Sequence, residues 1–174
     1  WTKQPDETRP LTPEQYSSAI IPSLAPLGLK ILLEPGRFIA GNAGVLVTKC
    51  LYEKKGSTKT FKIVDSGMHH LIRPALYEGF HEIVPVAEPT GAIESVDVVG
   101  PICESGDFFC QNREVPTFAP GEFIALMSAG AYGMVMATTY NSHPLPAEIL
   151  VDRNQARIAR KRQTFQDLVE GEEG

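Results

Sequence analysis

The pattern of apolar and polar residues changes near residue 45 and divides the chain into two predicted parts. The string TPEQ at 12–15 has the signature of a capped helix start with proline in the first turn, and an apolar stripe follows it from Ala19 to Leu27. Pro22 predicts a kink or an early end of this helix. The run LKILLEPG at 29–36 does not alternate, which is typical of a strand buried on both faces of a parallel sheet.

Beyond residue 45 the pattern is that of many short strands. VLVTKCLYEKKGSTKTFKIVDSG contains two β-rich runs on either side of Lys55-Gly56-Ser57, which indicates a hairpin. Further strands are predicted in AIESVDVVGPIC, EFIALMSAG, MVMATTYN, AEILVDRN and ARIARKR. This spacing is typical of an antiparallel β-sandwich or Greek-key barrel, and TFQDLVEGEEG predicts one short helix after it. The fold class is therefore mainly β.

The first part has the character of a single α/β unit, while the second is a complete β-domain. A parallel strand needs parallel neighbours, and this sequence offers none. We therefore expect that a large N-terminal region lies outside this sequence or that another chain supplies it.

Composition narrows the classes of function. The formal charge is −5 and there is no basic cluster, so nucleic acid is not a predicted partner. The basic run Arg157–Arg162 alternates with apolar residues and fits a solvated strand face. No apolar stretch approaches the ~20 residues of a membrane span, and no signal peptide opens the sequence. Three scattered cysteines favour a reducing compartment, so we predict a cytoplasmic protein.

Two segments offer groups that suit an anionic ligand. In EPGR at 34–37, Gly36 lets a ligand approach the backbone and Arg37 offers a fork of donors for phosphate or carboxylate. A plain turn at the end of a strand is the alternative. In RPALY, Arg73 precedes Tyr77 by four residues; the alternatives are a surface ion pair and a core aromatic with a hydrated hydroxyl.

Two further motifs carry weaker signals. Tyr132 lies between Gly130 and Gly133 at a predicted strand start, where its hydroxyl can face a cleft, although turn tyrosines are common without any function. His69 and His70 suggest metal binding, but adjacent histidines diverge and no third ligand has suitable spacing. No metal site is predicted.

Cys103 lies in PICESGD, within four residues of Glu104 and Asp107. A buried structural thiol is one interpretation, and a disulfide with Cys110 fits the spacing but not a reducing compartment. Neighbouring carboxylates favour a protonated thiol, which suits a proton donor better than a nucleophile. A zinc site at Cys103 would need further Cys or His ligands, and the sequence does not cluster them.

Four strings together resemble the diaminopimelate decarboxylases: LLEPGRFIAG, VDSGMHHLIRPALY, VVGPICESGD and SAGAYGMVMATTYN. These are pyridoxal-phosphate enzymes of the group that also includes ornithine and arginine decarboxylases. The likeness runs from about residue 10 to the C-terminus. It implies that residues 1–45 are the last helix and strand of a truncated TIM (β/α)8 barrel, and that residues 46–174 are the C-terminal β-domain.

The resemblance also implies a cofactor, pyridoxal 5'-phosphate, and a homodimer whose active sites draw on both subunits. Glu34 would face the pyridine nitrogen and keep the ring protonated, Gly36 and Arg37 would contact the phosphate side, and Tyr132 would contact both cofactor and substrate. The lysine that forms the Schiff base belongs to an early barrel strand, in a motif that this chain lacks. We therefore expect the chain alone to be inactive and to need the missing N-terminal barrel half.

For the substrate, the resemblance assigns carboxylate contacts to Arg73 and Tyr77, with Arg37 also reaching it. Glu104 would contact the distal amine, and Cys103 would return a proton to the carbon after carbon dioxide leaves; both would come from the other subunit. Meso-2,6-diaminopimelate carries an ammonium and a carboxylate at its distal end, and Arg73 with Glu104 supplies one partner for each. Ornithine would leave a buried arginine unpaired, at a cost of about several kcal/mol.

The predicted reaction is therefore decarboxylation of meso-2,6-diaminopimelate to L-lysine and carbon dioxide, the last step of lysine biosynthesis. Two alternatives stay open. One is a related decarboxylase acting on ornithine or carboxynorspermidine. The other is a non-catalytic β-domain that serves as a binding or regulatory module.

Overall fold

A computed structural model describes residues 11–88 and 91–173 of the chain, and its architecture is mainly β. Residues 1–10 of the predicted first unit lie outside the described residues. The helices in order are α1 (Pro13–Leu24), α2 (Arg73–Tyr77) and α3 (Phe165–Leu168). The strands are β1 (Leu46–Lys55), β2 (Thr60–Val64), β3 (Ile83–Pro85), β4 (Ile93–Val99), β5 (Phe108–Pro116), β6 (Phe123–Leu126), β7 (Glu148–Asp152) and β8 (Gln155–Arg160). The prediction of a β-domain preceded by a helix is confirmed.

Six strands form one mixed sheet in the order β3-β6-β1-β2-β4-β5. The predicted hairpin of β1 and β2 is present, and Gly56 N–H donates to the Lys59 carbonyl across its turn, 2.8 Å away. All pairings are antiparallel except that of β2 with β4, which is parallel. The two edges of the sheet approach each other, because Arg113 of β5 donates to the backbone carbonyl of His81, two residues before β3 (2.7 Å). The sheet is thus nearly closed.

The core lies inside this sheet and consists of apolar side chains from every strand of the sheet and from the loops between them. Its fully buried members are Cys50, Val64, Leu71, Ile83, Val96, Val98, Phe109, Cys110, Val115, Phe118, Ile124 and Leu126. All three cysteines of the chain are free thiols, and only Cys103 is exposed. The exposed surface that β7 and β8 present agrees with the solvated face predicted for Arg157–Arg162.

Helix α1 begins as predicted. The Thr12 hydroxyl accepts from Gln15 N–H and the Gln15 side chain accepts from Thr12 N–H, the two bonds of a capping box. Pro22 lies in the last turn, and the helix ends at Leu24, as an early stop requires. Helix α3 is confirmed as well, with Thr164 and Asp167 as its capping pair.

The strand predicted at 29–36 does not form within the described chain. These residues pair with no strand, and Leu29 and Leu32 are 73% and 77% exposed. The pattern itself gives the physical reason, because a run that is buried on both faces needs neighbouring strands on both sides. The described strands all belong to other sheets.

The strand predicted in MVMATTYN is also wrong. Residues Met134–Met136 and Tyr140–Ser142 form short 3₁₀ turns instead. Asn141, the last residue of this run, and Ser142 after it have positive φ angles of 61° and 58°, which are incompatible with an extended strand there. Among the described residues, none of the helices is both long and apolar enough to cross a lipid bilayer.

Candidate functional site

A cavity of about 340 Å³ lies where three separate segments of the chain meet. It is lined by Gly36, Arg37, Arg73, Tyr77 and Tyr132. These residues come from the EPGR turn, from helix α2 and from the loop after β6. The structure therefore brings together five of the eight residues that the sequence singled out as catalytic, cofactor-binding or substrate-binding residues.

The EPGR side and the Tyr132 side of the cavity are joined by direct backbone packing. Gly130 N–H donates to the Gly41 carbonyl (3.0 Å), and Ala129 N–H donates to the Gly44 carbonyl (2.8 Å). A Cβ at Gly130 would overlap the carbonyl oxygen of Ala40 and would lie 2.7 Å from the Gly44 nitrogen. Only glycine permits this approach, so the string SAGAYG is a docking element for residues 40–44.

Tyr132 reaches the cavity from a strained position. Its φ is 58°, a region that a bulky residue adopts only when its surroundings hold it there. A Cβ at Gly36 would lie 3.3 Å from the Tyr132 hydroxyl oxygen. The Tyr132 hydroxyl therefore lies next to the EPGR turn, and glycine at residue 36 leaves room for it.

Arg73 is the buried cation of the cavity, 9% exposed at the start of α2. Its Nη1 lies 3.1 Å from Nε2 of His81. Burial lowers the pKa of Arg73, and the nearby charge of Arg37 acts in the same direction. None of the ion pairs among residues 11–88 and 91–173 involves Arg37 or Arg73. Two cations share one cavity there, an arrangement that attracts anionic groups.

Three of the predicted site residues do not line this cavity. Glu34 is exposed at the start of the EPGR segment, and Cys103 and Glu104 are exposed in the loop between β4 and β5. This loop packs near α2, since a Cβ at Gly106 would lie 3.8 Å from the Ala75 methyl group. Cys103 and Glu104 thus lie in a loop next to α2 and do not line the cavity.

The loop that carries Cys103 is anchored by Asp107. Its carboxylate accepts from Met68 N–H (2.7 Å) and from Ile102 N–H (2.6 Å). Burial raises the pKa of Asp107, although these two bonds act in the opposite direction. In the sequence Asp107 stood out only as an electrostatic neighbour of Cys103. The available signal of close packing was the presence of Gly67 and Gly100, which meet the Asp107 carboxylate.

The histidine pair has a third member that its sequence spacing did not reveal. His143 lies beside His69, with ring centroids 4.9 Å apart, and the His70 ring lies 3.7 Å from that of His69. His69 is 2% exposed and neither of its ring nitrogens has a hydrogen-bond partner among the described residues. Burial lowers its pKa to about 3, helped by His70 and His143. Within residues 11–88 and 91–173, no group of three or more His, Cys, Asp or Glu side chains is arranged to hold a metal ion.

His81 is a further residue near the cavity that the sequence did not indicate. It is fully buried between Arg73 and the Met127 carbonyl. Its partners are eight and 46 positions away in the chain, so no local pattern could have revealed them.

Comparison with known proteins identifies relatives of this domain. Residues 16–130 match the family model described as pyridoxal-dependent decarboxylase, C-terminal sheet domain. The diaminopimelate decarboxylase of Aquifex aeolicus is 41% identical over 167 residues, which cover 96% of this chain and 40% of the relative. That of Haemophilus influenzae is 45% identical over 165 residues, covering 94% of this chain and 39% of the relative.

A solved structure shares the same architecture. The crystal structure of diaminopimelate decarboxylase from Helicobacter pylori complexed with L-lysine superposes with a TM-score of 0.84 at 40% identity. The match covers 96% of this chain and 41% of that one. The chain thus spans about 40% of the length of the proteins it matches.

Proposed function

Because the chain belongs to the family of pyridoxal-dependent decarboxylases, we propose that it works as the C-terminal part of an enzyme that converts meso-2,6-diaminopimelate to L-lysine and carbon dioxide. The observation that carries this proposal is the cavity in which Arg37 and Arg73 converge with two tyrosine hydroxyls. The names of the relatives and the lysine complex of the Helicobacter pylori enzyme support the substrate class.

The residues of the cavity fit a phosphorylated cofactor. Gly36 opens the backbone at one wall, and the guanidinium and phenol groups supply donors suited to phosphate and carboxylate oxygens. In the proposed site, Gly36 and Arg37 would hold the phosphate side, Tyr132 would contact both cofactor and substrate, and Glu34 would keep the pyridine nitrogen protonated. Pyridoxal 5'-phosphate supplies the electron sink for the pair released when the carbon–carboxylate bond breaks.

Recognition of the substrate rests on opposite charges at its distal end. Arg73 and Tyr77 bind the distal carboxylate, Arg37 also reaches the substrate, and Glu104 pairs with the distal ammonium. An arginine and a carboxylate together select an amino acid with both groups at that end, because a diamine substrate leaves the arginine unpaired. The selection favours diaminopimelate over ornithine.

Proton return is assigned to the thiol of Cys103. The bond between the carboxylate and the α-carbon breaks and carbon dioxide leaves. The α-carbon then takes up the proton of the Cys103 thiol, and solvent protonates the resulting thiolate. Cys103 and Glu104 are exposed and lie outside the cavity of their own chain. We assign them to the cavity of a second copy in a homodimer.

The rest of the proposed active site lies in a barrel to which residues 1–45 contribute one helix and one strand. Leu29 and Leu32 are exposed here and become buried when neighbouring barrel strands pair with residues 29–36. In this proposal residues 46–174 form the β-domain, the barrel supplies the lysine that binds the cofactor, and the enzyme is cytoplasmic.

The test is a decarboxylation assay on the complete gene product, or on this chain reconstituted with the N-terminal barrel of a relative. We expect cofactor-dependent release of carbon dioxide from meso-2,6-diaminopimelate, with no activity from this chain alone. A cofactor titration with and without the N-terminal part shows where the cofactor is held. The assay runs ornithine and carboxynorspermidine in parallel.

Turnover of ornithine or carboxynorspermidine without turnover of diaminopimelate would move the assignment to a related decarboxylase. Absence of activity on all three substrates, in an assembly that binds the cofactor, would favour a non-catalytic module.

A further inference from the structure

The buried imidazole of His81 connects the cavity to the core of the sheet. Its exposed fraction is 0%, and each ring nitrogen has one partner. Nδ1 lies 2.8 Å from the Met127 carbonyl oxygen, and Nε2 lies 3.1 Å from Nη1 of Arg73. A carbonyl only accepts and a guanidinium only donates. The ring is therefore neutral, with its proton on Nδ1 and a lone pair on Nε2 directed at Arg73.

Other contacts fix this ring in place. Arg113 donates to the His81 carbonyl at 2.7 Å, and its guanidinium lies 4.3 Å from the centre of the Phe80 ring. Met127 N–H donates to the Glu82 carbonyl at 2.8 Å. The backbone on both sides of the Nδ1 bond is thus tied to the sheet, which leaves the acceptor lone pair of Nε2 at a fixed point.

We propose that His81 is a positioning residue for substrate recognition: it accepts one N–H of Arg73 and so orients the remaining donors of that guanidinium toward the cavity. The inference rests on the proposed function, because it concerns how Arg73 meets the distal carboxylate of the substrate. Fixing a long side chain before binding reduces the conformational entropy that binding must remove.

The neutrality of the acceptor is the second part of the inference. An aspartate or glutamate at this position would orient Arg73 equally well, but it would neutralise the charge that the substrate carboxylate needs. A neutral imidazole holds the guanidinium and leaves its charge unpaired. Burial lowers the pKa of His81, and the charges of Arg73, Arg37 and Arg113 add to this effect, so the ring keeps its lone pair. Selection for a distal carboxylate thus depends on a residue outside the cavity lining.

Three variants of the complete enzyme separate this role from a structural one. His81→Gln retains an acceptor near the position of Nε2, His81→Asn retains only a donor near Nδ1, and Arg73→Ala removes the oriented group. We expect His81→Asn to raise KM for meso-2,6-diaminopimelate about tenfold to a hundredfold, as loss of a bond to a charged group does. The value of kcat should change by less than about threefold, and His81→Gln should restore KM to near the wild-type value.

Two further measurements complete the test. Calorimetry measures the affinity for L-lysine, which retains the distal carboxylate, and this measurement does not depend on turnover. We expect His81→Asn to lower this affinity by a similar factor. In the Arg73→Ala background, His81→Asn should add nothing to the loss.

Equal KM values in His81→Asn and His81→Gln, or additive losses in the double variant, would overturn the positioning role. A wild-type enzyme that acts only on substrates without a distal carboxylate, and does not bind L-lysine, would overturn both this role and the proposed function. Turnover of meso-2,6-diaminopimelate without rescue by His81→Gln would overturn the role of His81 alone.

Discussion

Gly67 packs directly against the carboxylate of Asp107, so that a Cβ at residue 67 would lie 2.5 Å from Oδ1. Gly100 packs against the same carboxylate, so that a Cβ at residue 100 would lie 2.5 Å from Oδ2. Both oxygens also accept backbone N–H groups. The loop of Cys103 therefore has its position set by one buried carboxylate in a cradle of two glycines.

Gly67→Ala should lower the free energy of unfolding by about 1–3 kcal/mol, because the added methyl group overpacks this cradle. Gly106→Ala in the same region is the matched control, since its Cβ would meet nothing closer than 3.8 Å. Denaturant unfolding of both variants measures the difference. Equal stabilities of the two variants would mean that the cradle has room to relax.

Gly130→Ala tests the docking of the two loops that build the cavity. A methyl group there would overlap the Ala40 carbonyl, so we expect Tyr132 to move away from Gly36 and binding of L-lysine by the complete enzyme to weaken at least about tenfold. Calorimetry measures this effect. Gly106→Ala again serves as the control and should leave binding unchanged; unchanged binding in Gly130→Ala would contradict the docking role.

The hydrophobic pattern predicted the β-domain and most of its strands, though not β3 and β5, because these strands satisfy one another within the chain. Strands β1 and β2 alternate across a turn whose glycine is visible in the sequence, and both pack on the same core. The strand predicted at 29–36 failed for the converse reason. Its pattern is that of a strand buried between two neighbouring strands. The described residues supply no such neighbours, so the strand does not form.

The cavity was accessible to prediction only in part. Gly36, Arg37, Arg73, Tyr77 and Tyr132 lie in strings whose resemblance to a family singled them out, and the structure brings them together. His81 and the Asp107 anchor each depend in part on a contact between distant residues, 46 positions apart for His81 with Met127 and 39 positions apart for Asp107 with Met68. The strand predicted through MVMATTYN was wrong because the backbone there forms two short 3₁₀ turns, a local conformation that the apolar residues of the run did not reveal.

Because His69 is buried, we expect the free energy of unfolding to fall in mild acid. Its pKa of about 3 in the folded chain lies below the reference value of 6.5, so the unfolded state binds the proton first as the pH falls. The stability contribution of His69 is therefore full above pH 6.5 and decreases as the pH falls from 6.5 toward 3. The expected loss is about 2 kcal/mol between pH 6.5 and pH 5.

His69→Leu removes this titration together with two unsatisfied ring nitrogens. We expect the variant to be at least as stable as the wild type at pH 7 and to lose less stability at pH 5. Urea unfolding at both pH values measures the two slopes. The same pH dependence in variant and wild type would place the acid-sensitive group elsewhere, for example at His70, whose pKa burial also lowers.

Arg73→Ala should separate substrate binding from cofactor binding. Arg73 lines the cavity without a carboxylate partner among the described residues, so its removal should weaken binding of meso-2,6-diaminopimelate by about two orders of magnitude. Cofactor affinity should change far less, as an absorbance titration can show. Arg160→Ala, which removes an exposed arginine paired with Glu148, is the control. Equal losses of substrate and cofactor would argue against the substrate role.

Cys103→Ala tests the assignment of the exposed thiol as proton donor. In the complete enzyme we expect kcat to fall by about 10²–10⁴-fold, the range of a lost general acid, with KM and the absorbance of the bound cofactor nearly unchanged. Ser105→Ala lies two residues away in the same exposed loop and should retain near-normal kcat. If solvent can replace the thiol as proton donor, Cys103→Ala will show near-normal turnover. That result would remove the assignment. Loss of cofactor absorbance instead would assign Cys103 to binding, because a proton donor acts only after the carbon–carboxylate bond has broken.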